Sequence, residues 1–89
     1  MAWRIELSPA AQKGLRALDP VAARRLLAFL KERIVPLEDP RVLGEALTGS
    51  RLGAFWKYRV GDYRIICAIE DGDLLVLVVR IGNRREVYR

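Results

Sequence analysis

Five side chains in the second half of the sequence, Lys57, Arg59, Arg64, Arg84 and Tyr88, have types and spacings that suit phosphate chemistry. Lysine and arginine hold non-bridging phosphate oxygens through charge-assisted hydrogen bonds. They also offset the negative charge that builds there as a phosphodiester is displaced. A tyrosine beside them can stack on a base or orient a ribose hydroxyl. Lys57 and Arg59 stand two apart in FWKYRV, so on a strand they point the same way. Arg64 follows the short Gly61-Asp62 connection, which returns it near that pair in a hairpin. Arg84 and Tyr88 follow the last long apolar run. Arg51, Arg80 and Arg85 extend the set as side chains able to hold a polyanion backbone without entering the reaction.

Each of these residues also has a plainer reading. A cation at a hairpin end is usually just solvated, Arg64 can pair with Asp62 or Glu70, and Tyr88 can pack on a sheet edge. Trp56 reads as core or rim rather than as a platform for bases. A convergent cationic groove requires the plainer readings to fail together.

The sequence has no histidine, which excludes Ser-His-Asp, Cys-His and paired-histidine ribonuclease mechanisms. Its single cysteine, Cys67, sits in an apolar run and reads as a small core residue. Without a second cysteine there is no internal disulfide and no cysteine-based zinc site. The carboxylates are scattered at turns and helix ends, so neither a metal site nor a cofactor is expected. Net charge is +5. Residues 1–50 carry eight Lys/Arg against six Asp/Glu, and residues 51–89 eight against five. That excess makes a polyanionic partner only somewhat more probable, and placement has to decide.

The elements that position these residues follow from periodicity and capping. Trp3, Ile5 and Leu7 alternate with Arg4 and Glu6, the period of a short half-buried strand. Ser8-Pro9 starts a helix expected to reach about Leu18, in which Gly14 signals either close packing or tolerance. Asp19-Pro20 starts a second over 20–34. Its apolar stripe reads Ala22, Leu26, Phe29, Leu30 and Arg33, widened by Ala23, Leu27 and Ile34, before Pro36 ends it. Residues 35–54 are the least regular, with Asp39-Pro40 opening a turn or a short helix.

From Phe55 the period becomes two, with Trp56, Tyr58 and Val60 on one face and Phe55, Lys57 and Arg59 on the other. Strands over Tyr63–Glu70 and Leu74–Ile81 follow, joined through Asp71-Gly72, with Arg80 sharing the face of Val76 and Val78. Gly82-Asn83 breaks the last strand, and Arg84–Arg89 resumes as an extended segment. The reading is α+β: an N-terminal strand and a two-helix hairpin packed on a twisted, mainly antiparallel four-stranded sheet, in one domain spanning 1–89. MAWRIEL does not resemble a signal peptide, and the longest apolar run, Leu74–Val79, is too short to cross a membrane. A cytoplasmic location is expected.

The stretch LTGSRLGAFWKYRVGDYRIICAIEDGDLLVLVVRIGNRREVY resembles the RelE/ParE toxin superfamily, the growth-arresting partners in bacterial and archaeal toxin–antitoxin pairs. The likeness lies in a leucine-glycine turn, a basic strand, G-x-Y-R entering the next strand, and a last apolar strand leading to glycine, arginine and V-Y. The basic strand and the closing Arg84…Tyr88 resemble the ribosome-dependent nuclease branch more than the gyrase-inhibiting ParE branch, which is the alternative. By this resemblance Lys57 and Arg59 match the family's paired basic residues. Arg64 matches the arginine of G-x-Y-R, Arg84 the arginine after the final strand and Tyr88 the terminal tyrosine, while Arg51, Arg80 and Arg85 add RNA contacts. Arg59 stands where the family often has a second lysine, and arginine holds its proton too firmly to be a base. Lys57, crowded by Arg59 and Arg64, is then either the general base or a cation that steadies the nascent alkoxide.

The resemblance implies a metal-independent endoribonuclease, without cofactor, that cuts mRNA in the ribosomal A site. It also implies a cognate antitoxin, the ribosome with bound mRNA, and a toxin–antitoxin hetero-oligomer that binds operator DNA through the antitoxin. Val21 and Leu37 are candidates for antitoxin contact. A third reading is a small RNA-binding module that stacks bases on Trp56 and Tyr58.

Overall fold

The computed structural model describes residues 3–47, 55–85 and 87, so Arg51 and Tyr88 lie outside the described residues. Strand β1 (Arg4–Leu7) runs into Ser8, whose hydroxyl accepts from the Ala11 amide at 3.1 Å and starts helix α1 (Pro9–Arg16). The Asp19 carboxylate accepts from the Ala22 amide at 2.9 Å and starts α2 (Pro20–Phe29). Each cap satisfies an amide that the first helical turn leaves without a partner, and proline at the next position loses no hydrogen bond.

Helix α2 passes directly into a π-helical turn, Leu30–Ile34, closed by the Val35 amide donating to the Leu30 carbonyl at 3.0 Å. Its buried stripe is Ala22, Leu26, Leu30 and Ile34. A strict four-residue repeat drifts around a helix of 3.6 residues per turn, and the wider turn offsets that drift. The stripe is narrower than the sequence pattern implied, because Leu27 and Arg33 are exposed.

The sheet has five strands in the order β1-β5-β4-β3-β2, with β2 (Glu45–Ala46), β3 (Phe55–Val60), β4 (Tyr63–Glu70) and β5 (Leu75–Asn83). The four expected strands are present. The fifth, β2, comes from the irregular linker and is too short to show a period. β1 pairs with β5 in parallel, and the other pairings are antiparallel. β5 continues through the Gly82-Asn83 pair, where a break was expected. Arg84 and Arg85 then enter a turn instead of an extended segment. Leu74, not a glycine, takes the left-handed conformation in the β4–β5 connection, at φ 48°.

One face of the sheet, carrying Tyr58, Val60, Ile65, Cys67, Val76, Val78 and Ile81, is covered by Ala11, Leu26, Leu30 and Ile34 from the helical side. Each such buried aliphatic side chain contributes about 1.5–3 kcal/mol by leaving water. Gly14 resolves to close packing, since a Cβ there would collide with the Ile81 carbonyl oxygen of β5. Among the described residues no helix is long and apolar enough to cross a membrane.

Two irregularities set the site. The first is a bulge in β5: Ile66 pairs with Arg80 but Cys67 pairs with Val78, leaving Val79 without a partner in the β4–β5 ladder. The extra residue shifts the alternation by one. Val76 and Val78 therefore face the core while Arg80 turns to the opposite face, which corrects the expectation that all three share one side. The bulge is tied down by Ser8, whose amide donates to the Val78 carbonyl and whose hydroxyl donates to the Val79 carbonyl, both at 2.9 Å.

The second is the linker. Asp39 caps a short 3₁₀ turn, Pro40–Leu43. The buried Tyr58 hydroxyl donates to the Pro40 carbonyl at 2.6 Å. Arg41 lies 5.8 Å from the Trp56 ring centroid and binds Asp71 through two hydrogen bonds of 3.0 and 2.7 Å. These contacts deliver Glu45 to the edge of β3.

Candidate functional site

The face of the sheet turned away from the helices collects the cations. In register, Arg59 lies opposite Arg64, and Arg64 opposite Gly82. One row further in, Lys57 lies opposite Ile66, and Ile66 opposite Arg80. Directly opposed residues share a face, so Lys57, Arg59, Arg64 and Arg80 all stand on it. Ile66 is buried on this face as well. Its cross-strand neighbours are Lys57, whose side chain is only 17% exposed, and Arg80.

The end of the sheet at the β3–β4 hairpin gathers the remaining cations. Gly61 takes the positive φ, 61°, that this tight connection requires. The Arg64 guanidinium donates to the Gly61 and Tyr63 carbonyls at 3.0 and 2.8 Å, which anchors it over the hairpin rather than on Asp62 or Glu70. The Arg84 amide donates to the Asp62 carbonyl at 2.9 Å, so the turn after β5 is tied to the same hairpin. The Arg80 guanidinium donates to the Val87 carbonyl at 3.3 Å. Arg85 is exposed in that turn, where its amide donates to the Asn83 side chain. Arg51 and Tyr88 lie outside the described residues.

Sequence reasoning missed Glu45. Its carboxylate stands 3.8 Å from Lys57 Nζ and 3.2 Å from Arg59 Nε, and β2–β3 pairing puts Glu45 opposite Lys57. The surroundings of Lys57 are therefore mixed in charge, which corrects the picture of a lysine crowded by cations alone. No local pattern pointed to Glu45, because its partner strand was not visible in the sequence.

The other reactive side chains are withdrawn. Cys67 is fully buried and burial pushes its thiol well above the usual range. The Tyr58 hydroxyl is likewise raised by burial and is engaged by Pro40. Trp56 is on the face away from the cations, opposite Cys67, and Arg41 lies over its ring. Trp56 and Tyr58 thus do not form an exposed stacking platform, which removes the support for the third reading. Among the described residues no group of three or more Cys, Asp or Glu side chains is placed to hold a metal ion.

Residues 5–88 match the model of the ParE toxin of the type II toxin–antitoxin system parDE. The chain is 29% identical over 87 residues to Toxin RelE of Mycobacterium tuberculosis, covering 98% of this chain and 87% of that protein. Its fold superposes with a TM-score of 0.85 on a chain of the M. tuberculosis toxin–antitoxin complex RelBE2, at 21% identity over 97% of this chain and 95% of the other. A chain of the archaeal RelE–RelB complex from Pyrococcus horikoshii superposes at TM-score 0.68 with 26% identity, covering 97% of this chain and 98% of that one.

Proposed function

The chain belongs to the family of ParE toxins of type II toxin–antitoxin systems, within the RelE/ParE superfamily, and from that footing we propose that it is a RelE-type endoribonuclease acting on ribosome-bound mRNA. The observation that carries this reading is the placement of Lys57, Arg59 and Arg64 on the face of adjacent strands turned away from the helices, with Arg84 tied to the same hairpin. A cytoplasmic site of action belongs to the same proposal.

In the proposed reaction the ribose 2′-oxygen attacks the adjacent phosphorus as its proton departs. The O2′–P bond forms while the P–O5′ bond breaks. The electron pair leaves on the 5′-oxygen, which takes a proton from solvent, and the other product is a 2′,3′-cyclic phosphate. Arg64 and Arg84 hold the non-bridging oxygens and offset their growing charge, and Arg84 also donates a hydrogen bond to the leaving oxygen. Arg59 contributes fixed positive charge. The 2′-hydroxyl proton passes to Lys57, or to Glu45 while Lys57 steadies the alkoxide. Tyr88 orients the ribose or stacks on a base, and Arg51, Arg80 and Arg85 hold flanking phosphates. A site without histidine depends on its substrate being held in line, a constraint that the ribosome supplies.

The solved relatives include RelE with its antitoxin RelB, which supports a cognate antitoxin for this chain; operator binding through that antitoxin is part of the proposal. Val21 is exposed and suits such a contact, whereas Leu37 packs against the core.

Primer extension on mRNA in a translating extract tests the proposal. Cuts within codons that vanish when ribosomes are removed are expected. Lys57→Ala, Arg64→Ala and Arg84→Ala should each lower cleavage by roughly 10²-fold or more, the scale of losing one positioned transition-state partner. Glu45→Gln abolishes cutting if the carboxylate takes the proton and spares it if it is only a counter-ion. Intact mRNA with stalled replication would refute the nuclease reading in favour of gyrase inhibition.

A further inference from the structure

A second cationic feature lies around the edge of β3 from the sheet-face cations. The cleft between the carboxy-terminal half of α2, its π-helical turn and the β3–β4 hairpin is lined by Arg25, Arg33 and Arg59, with Glu32 as the one carboxylate among its lining residues. It is an open cleft of about 580 Å³, room for a nucleotide-sized segment to lie in. Arg25 and Arg33 are exposed, and among the described residues neither makes an ion pair or a side-chain hydrogen bond, with Glu32 or any other group. Unlike Arg41, which is locked to Asp39 and Asp71, they are free to meet a ligand. Gly61 allows this arrangement: a Cβ there would stand 3.0 Å from Arg25 Nη1, so the bare glycine lets the guanidinium lie against the turn.

Arg59 connects the two regions. It stands on the sheet face opposite Arg64 and also lines the cleft. It can do both because β2 pairs only with Trp56 and Lys57, so Arg59 lies past the stretch of β3 that β2 pairs with. A linear polyanion crossing the sheet-face cations therefore meets Arg59 at the edge and continues onto Arg25 and Arg33. The cleft holds little that could read a base. Its one aromatic ring, Phe29, is half-buried and packed edge-on against Tyr58 at 5.9 Å between centroids. Guanidinium groups without base readers recognise phosphates regardless of sequence.

We propose that this cleft is a second RNA subsite, in which Arg25 and Arg33 hold backbone phosphates of the strand that Arg59 leads around the edge of β3. The assignment takes the identity of the polymer from the nuclease reading, and its test is independent of cleavage. A short fluorescein-labelled RNA with 2′-O-methyl groups throughout has no attacking hydroxyl. Its affinity for the full chain is measured by anisotropy across a series of salt concentrations.

The double variant Arg25→Gln/Arg33→Gln should bind about tenfold more weakly and show a log–log salt slope shallower by about 1.4, at roughly 0.7 per lost phosphate contact on a single strand. The charge-conserving Arg25→Lys/Arg33→Lys should retain the slope, and matching melting temperatures verify that all variants are folded. An unchanged slope in the glutamine variant overturns the proposal. So does an unmodified chain whose RNA binding ignores salt, or a glutamine variant that binds RNA normally and instead loses a purified antitoxin. A chain that cuts no mRNA yet shows the predicted loss of slope leaves the cleft assigned and refutes the nuclease reading alone.

Discussion

Glu45 shows how one residue can set the electrostatics of a group of cations. Lys57 and Arg59 are displayed two apart on β3, and a carboxylate from a two-residue strand stands within reach of both. Its reach depends on contacts on the other side of the sheet, above all the Tyr58 hydroxyl on the Pro40 carbonyl. Tyr58→Phe removes that donor and leaves a buried carbonyl without its partner, a cost of about 1–3 kcal/mol. Urea denaturation should register the loss, and the proposed cleavage should fall with it if Glu45 takes the proton, since the linker that delivers Glu45 is loosened. At this scale the sequence was informative about like residues on one strand. Lys57 and Arg59 share a face as their alternation required, and the G-x-Y-R arginine faces them across the hairpin. It was silent about Glu45 and about the carbonyls that hold Arg64, because both depend on tertiary neighbours.

Alternation along a strand assigns faces only while the ladder is regular. β5 is irregular at Val79, and that single residue decides whether Arg80 points into the core or away from it. The bulge has no signature of its own in LVLVVRIGN, where an apolar residue simply occupies the extra position. The helix starts were legible because each has a local mechanism, the Ser8 and Asp19 caps followed by proline. The π-helical turn and β2 were not, since one widened turn and one pair of residues fall below any periodicity. Gly14 allows a direct test of packing between elements. Alanine at an exposed helix position should gain about 1 kcal/mol in propensity. Here the added methyl meets the Ile81 carbonyl, so Gly14→Ala should instead destabilise by about 1–3 kcal/mol, as overpacking does. A chemical denaturation curve of the variant reads the sign directly.

Across the molecule, stability depends on a core that keeps two ionisable groups neutral. Burial raises the Cys67 thiol and the Tyr58 hydroxyl above their ordinary values of about 8.5 and 10. A group raised on folding supports stability fully below its unfolded value and loses that support as pH climbs toward its folded one. The urea midpoint should therefore hold level through pH 8 and decline from about pH 9 upward, with the thiol reacting only as the chain opens. Asp71 works in the opposite sense. Its carboxyl is lowered by the Arg41 hydrogen bonds, so its contribution is lost as pH falls through the carboxylate range, and full exposure keeps that contribution small. The parallel pairing of β1 with β5 has a further consequence. Arg4 to Leu7 meet Leu75 to Val78, and Ser8 reaches Val79 across a separation of 71 residues. During synthesis the first strand must wait, unpaired, until the last has left the exit tunnel. A nascent chain therefore cannot seat β5, orient Arg80 or assemble its cationic face. The cationic face is thus completed only when the last strand meets the first.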